Sequence, residues 1–233
     1  LTSRTVTVDG DTTKMPHTYL TSADSNFLRD DIMIYTDQPF AAGTTYRVTI
    51  TGTGFNGASI DRTWTFTTRS CPCSIFNASA LPAVPSSGDQ NGVEVGLRFR
   101  ADVAGTVRGI RFYKGTSNTG THVGSLWNTA GTRLANVTFT GETASGWQTM
   151  SFATPVAITA NTTYIVSYHT TVGRYARTNN GMTSAVTNGP LTALANSTSA
   201  NGVYAYGAST GFPNQTWQST NYWVDVIFST TSP

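Results

Sequence analysis

The side chains with chemistry to offer are a few carboxylates, three histidines and many aromatic rings. Residues 71–233 hold five acids: Asp89, Glu94, Asp102, Glu142 and Asp225. Glycoside hydrolysis needs two carboxylates about 5–9.5 Å apart across a sugar. Glu94 and Asp225, near the start and end of this region, are the pair that could supply them. Alternation gives them the parity of Arg98 and Arg111, so ion pairing is the simpler expectation. His17, His122 and His169 are the only histidines. His122, His169 and Asp225 would make a metal triad, but no H-x-H or H-x-x-x-H spacing supports it. Gly207-Ala-Ser-Thr-Gly211 matches G-x-S-x-G, a motif that works at a strand-to-helix elbow. Phe212-Pro213 follows instead of a helix, so a glycine-rich loop is expected.

Asp89 and Asp225 are the acids that a structural Ca²⁺ would use, with Asn91 and backbone carbonyls beside Asp89. No other cofactor is expected. The aromatic set points further. Tyr113, Trp127, Trp147, Tyr168, Tyr175, Tyr204, Tyr206, Trp217, Tyr222 and Trp223 are interleaved with Asn, Arg and His. Sugars stack their C–H faces on such rings, and rings with a few polar groups make a ligand cleft. Parity assigns Tyr164 and Tyr222 to the core, and Tyr113 and Trp223 to an open face. Trp127, Tyr175 and Trp217 border loops and are expected to be exposed. The expected ligand-binding set is Arg111, Tyr113, His122, Trp127, His169, Tyr175, Trp217 and Trp223.

Strands must position these groups. Gly105–Trp127 reads as two strands around a polar turn at Gly115–Gly120, with Ile110 and Phe112 on one face and Arg111 and Tyr113 on the other. Val93–Arg100, Thr132–Thr140, Gly146–Ile158, Asn161–His169 and Tyr222–Phe228 read as further strands. Residues 170–221 are rich in Asn and Gly, more loop than a simple connection needs. Long loops on a sandwich carry function. In the first part, Arg4–Val8, Asp31–Tyr35, Arg47–Thr51 and Thr63–Thr67 read as strands. No segment has helical periodicity. The expected fold is all-β, two sandwiches divided near residue 70. Residues 69–87 read as a linker or irregular segment containing Cys71-Pro72-Cys73. Whether these two cysteines are reduced or bridged stays open.

Composition narrows the function classes. Charged residues make up 11% and the net charge is +2, far below the usual quarter charged. There is no Lys/Arg run, so a nucleic-acid partner is not expected. No apolar run approaches the length of a membrane span, so membrane insertion is not expected either. Aromatic residues at 11% argue against disorder.

Two resemblances add to this. AAGTTYRVTITGT and RTWTFTT, covering residues 38–68, resemble the end of an S-layer-type bacterial immunoglobulin-like domain, which makes residues 1–70 a partial copy. CPCSIF, VEVGLRF, AGTVRGIRFYKG, TGTHVGSLW, ETASGWQ, PVAITANTTYIVSYH, NGVYAYG and YWVDVIF, in that order, resemble a bacterial secreted domain family of unknown function. That likeness covers residues 71–229 and implies a jelly-roll-like β-sandwich at residues 71–233 in an exported protein, but no known reaction. Together these readings predict a non-catalytic, secreted or cell-surface module whose partner is carbohydrate or a cell-surface polymer. The first strand of the immunoglobulin-like pattern is missing. The alternative is therefore a subunit of a filament or adhesin, with neighbouring subunits donating a strand to a vacant edge beside Ile50 and Trp64.

Overall fold

The computed structural model describes residues 3–20, 33–38, 40–41, 43–53, 57–68 and 71–230. Among them are sixteen strands and no helix. The fold is all-β, as the alternating patterns predict. The chain divides into two compact units, at Cys71/Pro72.

The first unit contains β1 (Ser3–Val8), β2 (His17–Leu20), β3 (Met33–Thr36), β4 (Thr45–Thr53) and β5 (Ser59–Thr67). The expected strand at Asp31–Tyr35 begins outside the described residues. β1, β4 and β5 form one antiparallel sheet in that order, and β2 and β3 form a hairpin. Alternation in β1 and β4 turns Val6, Tyr46 and Val48 inward, where Ile34, Met15 and Phe66 pack on them. β4 is paired on both sides, with β1 and with β5. The vacant edge expected beside Ile50 and Trp64 is therefore not at β4, which carries Ile50; among the described residues β5, which carries the exposed Trp64, pairs with β4 alone.

The second unit is a β-sandwich. Its strands are β6 (Val93–Ala101), β7 (Gly105–Lys114), β8 (His122–Asn128), β9 (Arg133–Thr138), β10 (Gly146–Ile158) and β11 (Tyr164–Thr170). They continue with β12 (Val186–Asn188), β13 (Leu191–Ala193), β14 (Val203–Tyr206), β15 (Gln215–Thr216) and β16 (Val224–Thr230). The smaller sheet runs β10-β7-β16 and the larger β12-β13-β6-β11-β8-β9, with β14 attached to β6 and β15 to β14. Inward residues of both sheets meet in the core, where Phe112 of β7 stacks on Tyr168 of β11 at 4.2 Å. Val95, Leu97, Phe99, Ile110, Val166 and Val226 fill the space around that pair and are wholly buried.

The outer faces are covered as well. The segment before β6, which reads as a linker, lies over the smaller sheet. Ile75 and Phe76 are buried, and Phe76 stacks near Trp147 and Trp223. Cys73 and Phe228 exchange both backbone hydrogen bonds as antiparallel neighbours. Cys71 and Cys73, the chain's two cysteines, are disulfide-bonded.

β13 and β14 pair with successive stretches of one edge of β6, leaving a gap at Arg98. Asn201 fills that gap as a strand residue would. Its Oδ1 accepts the Arg98 N–H at 2.7 Å, and its Nδ2 donates to the carbonyls of Arg98 and Leu194. Asn201 is fully buried, so Asn201→Ala strands a backbone N–H without a substitute. The expected loss is about 2 kcal/mol or more of unfolding free energy in urea. A loss under about 0.5 kcal/mol, the range of an ordinary surface change, would contradict this account.

Candidate functional site

Aromatic rings from four short segments converge on one hollow. Tyr175, Tyr204, Tyr206, Trp217 and Tyr222 line a cavity of about 200 Å³. Tyr204 and Tyr206 alternate along β14, opposite Val95 and Val93 of β6, so both rings leave the strand on one side. Tyr175 follows β11, Trp217 follows β15 and Tyr222 leads into β16. The rings meet edge to face: Tyr175 with Tyr222 at 5.4 Å, Tyr204 with Tyr206 at 5.6 Å, and Tyr204 with Tyr222 at 6.4 Å. Tyr206 is 54% exposed and Trp217 46%, so their faces are open to a ligand.

The backbone here is held in a costly shape. Arg174, Gln218, Ser219 and Trp223 have φ between 46° and 54°, a left-handed conformation costing about 1–2 kcal/mol per non-glycine residue. Each lies within two residues of Tyr175, Trp217 or Tyr222. Such strain persists only where surrounding bonds over-determine it, and it clusters at ligand sites. The bonds are present. Asn180 N–H donates to Gln218 O, Met182 N–H to Ser219 O, and Thr178 and Asn221 exchange a backbone pair.

Asp89 fixes the exposed tyrosine. Its Oδ2 accepts the Tyr206 hydroxyl at 2.7 Å, and its Oδ1 accepts the Asn91 N–H at 3.0 Å. Partial burial pushes the Asp89 carboxyl up, but these donors outweigh it and hold the pKa below the usual carboxylate range. Burial also pushes the Tyr175 phenol up to about 12, so it is a neutral hydroxyl at physiological pH. Arg177 lies 5.7 Å over the Trp217 ring.

Tyr206 also lines a second, larger hollow of about 520 Å³ with Asn91, Gly92, Thr171, Gly207 and Ala208. Gly207 N–H donates to Gly92 O at 3.0 Å. A Cβ on Gly92 would come within 2.7 Å of the Gly207 carbonyl, so glycine is what lets these two backbones touch. His169 supports this wall from beneath, donating from Nε2 to Gly207 O at 3.0 Å.

The expected ligand-binding residues separate on this frame. Tyr175 and Trp217 line the aromatic hollow. Trp127, expected to be exposed, is 5% exposed. It packs with Ile165, Val203 and Phe212 and donates from Nε1 to Ser167 at 2.7 Å. Arg111 and Trp223 are buried rather than on an open face, because residues 72–80 lie over them. Tyr113 is half-buried and meets Trp147 edge to face. His122 is buried in a network with Glu142, Lys114 and Asn118; burial pushes its pKa down while Glu142 opposes that.

The expected ion pairs divide. Arg111 does pair with Asp225, at 2.7 Å. Asp225 also accepts the N–H groups of Ile75, Phe76 and Val226, so N–H donors occupy both of its oxygens where a cation would bind. Glu94 does not pair with Arg98, which turns to Ser199 instead. Glu94 lies on β6 and Asp225 on β16, in different sheets, so they are not neighbours across a strand pair. Glu94 is wholly buried and accepts the Ser167 hydroxyl at 2.6 Å through Oε1, while Oε2 meets no hydrogen-bond partner. Among the described residues, no three His, Cys, Asp or Glu side chains gather where they could hold a metal. Gly207–Gly211 lies between β14 and β15 with no helix after it.

Tyr204 and Tyr206 are functional candidates outside the expected set; Tyr222 is buried, as parity placed it, and borders the hollow from the core side. The readable signal was the Tyr-x-Tyr alternation after the Asn201-Gly202 turn. The model of a family described as "Domain of unknown function (DUF4082)" matches residues 79–224. No curated protein matches the chain.

Proposed function

The chain belongs to the DUF4082 family of domains of unknown function, and from its own site we propose that it is a non-catalytic carbohydrate-binding module of a bacterial extracellular or cell-surface protein. The observation that carries this reading is the cavity formed by Tyr175, Tyr204, Tyr206, Trp217 and Tyr222. The exposed faces of Tyr206 and Trp217 suit the C–H faces of a sugar, and neutral phenols, Asp89 and Arg177 stand by for hydroxyl groups. The strained backbone holds the rings in place before a ligand arrives, which reduces the ordering cost of binding.

The carboxylates favour binding over hydrolysis. Glu94 and Asp225 are buried, Glu142 is tied to His122 and Lys114, and Asp102 sits beside Arg100. Asp89 is left at the tyrosines, where glycoside hydrolysis would need a pair. The low charge and the Cys71–Cys73 disulfide suit an oxidising, extracellular setting.

A glycan array followed by titration calorimetry tests the reading. Trp217→Ala and Tyr206→Ala, both at exposed positions, should each weaken binding by about tenfold while leaving the circular dichroism unchanged. Binding that survives the double replacement would move the site elsewhere.

A further inference from the structure

Tyr206 belongs to both hollows, so its ring stands between them as a ridge. The ridge is fixed, because Asp89 holds the hydroxyl at its tip. The two sides differ in chemistry. The smaller hollow offers aromatic faces. The larger one offers the Asn91 amide, the Thr171 hydroxyl and the small residues Gly92, Gly207 and Ala208, with no charged side chain among its lining residues. Such a wall recognises a hydroxyl-rich, uncharged surface by hydrogen bonds, and the smaller hollow recognises an apolar face by stacking. The volumes, about 520 and 200 Å³, lie together within the range of ordinary ligand clefts, about 300–1,000 Å³.

We infer that the site takes an internal stretch of a neutral polysaccharide, laid across Tyr206 with sugar units in both hollows, and does not take a single terminal sugar. This rests on the carbohydrate reading above. A lone sugar would use one side of the ridge; a chain uses both, and linking the two contacts strengthens binding without any new wall. The neutral preference rests on the larger hollow, which offers no cation to a uronate or sulfate, and on the Asp89 carboxylate at the ridge, which would repel one; Arg177 lies on the other side, over the Trp217 ring.

The test compares glycans from monosaccharide to hexasaccharide, in β-1,4-glucan, β-1,3-glucan, mannan and chitin series, with oligogalacturonates as the acidic arm. Affinity should rise by about tenfold or more between the monosaccharide and trisaccharide of the preferred series and then level off. Oligogalacturonates should bind more weakly than the neutral chain of equal length. Ala208→Trp, at an exposed position of the larger hollow, should cancel the length gain. A monosaccharide bound as tightly as a hexasaccharide, or a length gain that survives Ala208→Trp, overturns the inference and leaves the carbohydrate reading standing. Tighter binding of oligogalacturonates overturns the neutral specificity. Failure of every glycan to bind removes both.

Discussion

Asp225→Ala lowers the unfolding midpoint of the second unit by on the order of 10 °C, from a loss of about 3–5 kcal/mol. Besides the Val226 N–H of its own strand, the carboxylate holds three groups at once. It neutralises Arg111 at 2.7 Å and accepts the N–H groups of Ile75 and Phe76, all in a site closed to water. Burial pushes its pKa above the ordinary value, and the Arg111 charge with these N–H donors pulls it back. Removing it leaves a buried guanidinium without a counter-charge and two backbone donors without acceptors. A buried pair can often be exchanged for apolar residues at little cost. This one cannot, because no apolar side chain accepts the two N–H groups. Asp102→Ala is the control: its partner Arg100 is 3.9 Å away and both side chains are exposed, so the expected change is within about 0.5 kcal/mol. If calorimetric melts of the two variants coincide, Asp225 does not hold residues 75–76 and Arg111 together.

Glu94→Gln stabilises the protein at alkaline pH and flattens its pH dependence. Burial pushes the Glu94 carboxyl up to about 8; the Ser167 hydroxyl, the Gly211 N–H and Arg133 only partly oppose this. The folded state therefore keeps a proton that the unfolded chain gives up near the ordinary glutamate value of 4.5. Between those values the folded state binds more protons, so stability falls as pH rises, by up to about 1.4 kcal/mol per pH unit. Accumulated to pH 8, the penalty is about 4–5 kcal/mol. Below about pH 4.5 both states hold the proton and the term vanishes. Glutamine carries no such proton, so the variant should gain several kcal/mol over the parent at pH 8 and little at pH 4. Urea unfolding across that range decides it. Parallel stability curves for parent and variant would mean that Glu94 is ionised in the folded protein.

Strand positions were legible in the sequence because a period of two survives in Val93–Phe99 and Ile110–Tyr113. The loop-borne aromatics Tyr175 and Trp217 were legible too, since turn residues surround them. What alternation cannot show is what lies over a face. Parity correctly set Arg111 and Trp223 opposite the core, yet both are buried. Residues 72–80, irregular and without a period, cover them through contacts far apart in sequence. Trp127 was misplaced for the same reason: Phe212, in a stretch that reads only as loop, packs on it. Glu94 and Asp225 share a parity class but not a sheet, and sheet membership is set by long-range pairing that no local pattern records.

The exchange of backbone bonds between Cys73 and Phe228 also fixes how the second unit answers to pulling. Polypeptide entering at Cys73 and leaving past Phe228 runs in opposite directions through adjacent positions. Tension on the two ends therefore draws these residues straight apart. The same pull acts on β16, which carries Phe228 and whose outer end is the Thr230–Gly105 pair with β7. It parts those hydrogen bonds one after another, each bearing the force alone, whereas a strand loaded lengthwise shares it among all its bonds. Pulled by its two ends, a unit built this way gives bond by bond and at low force.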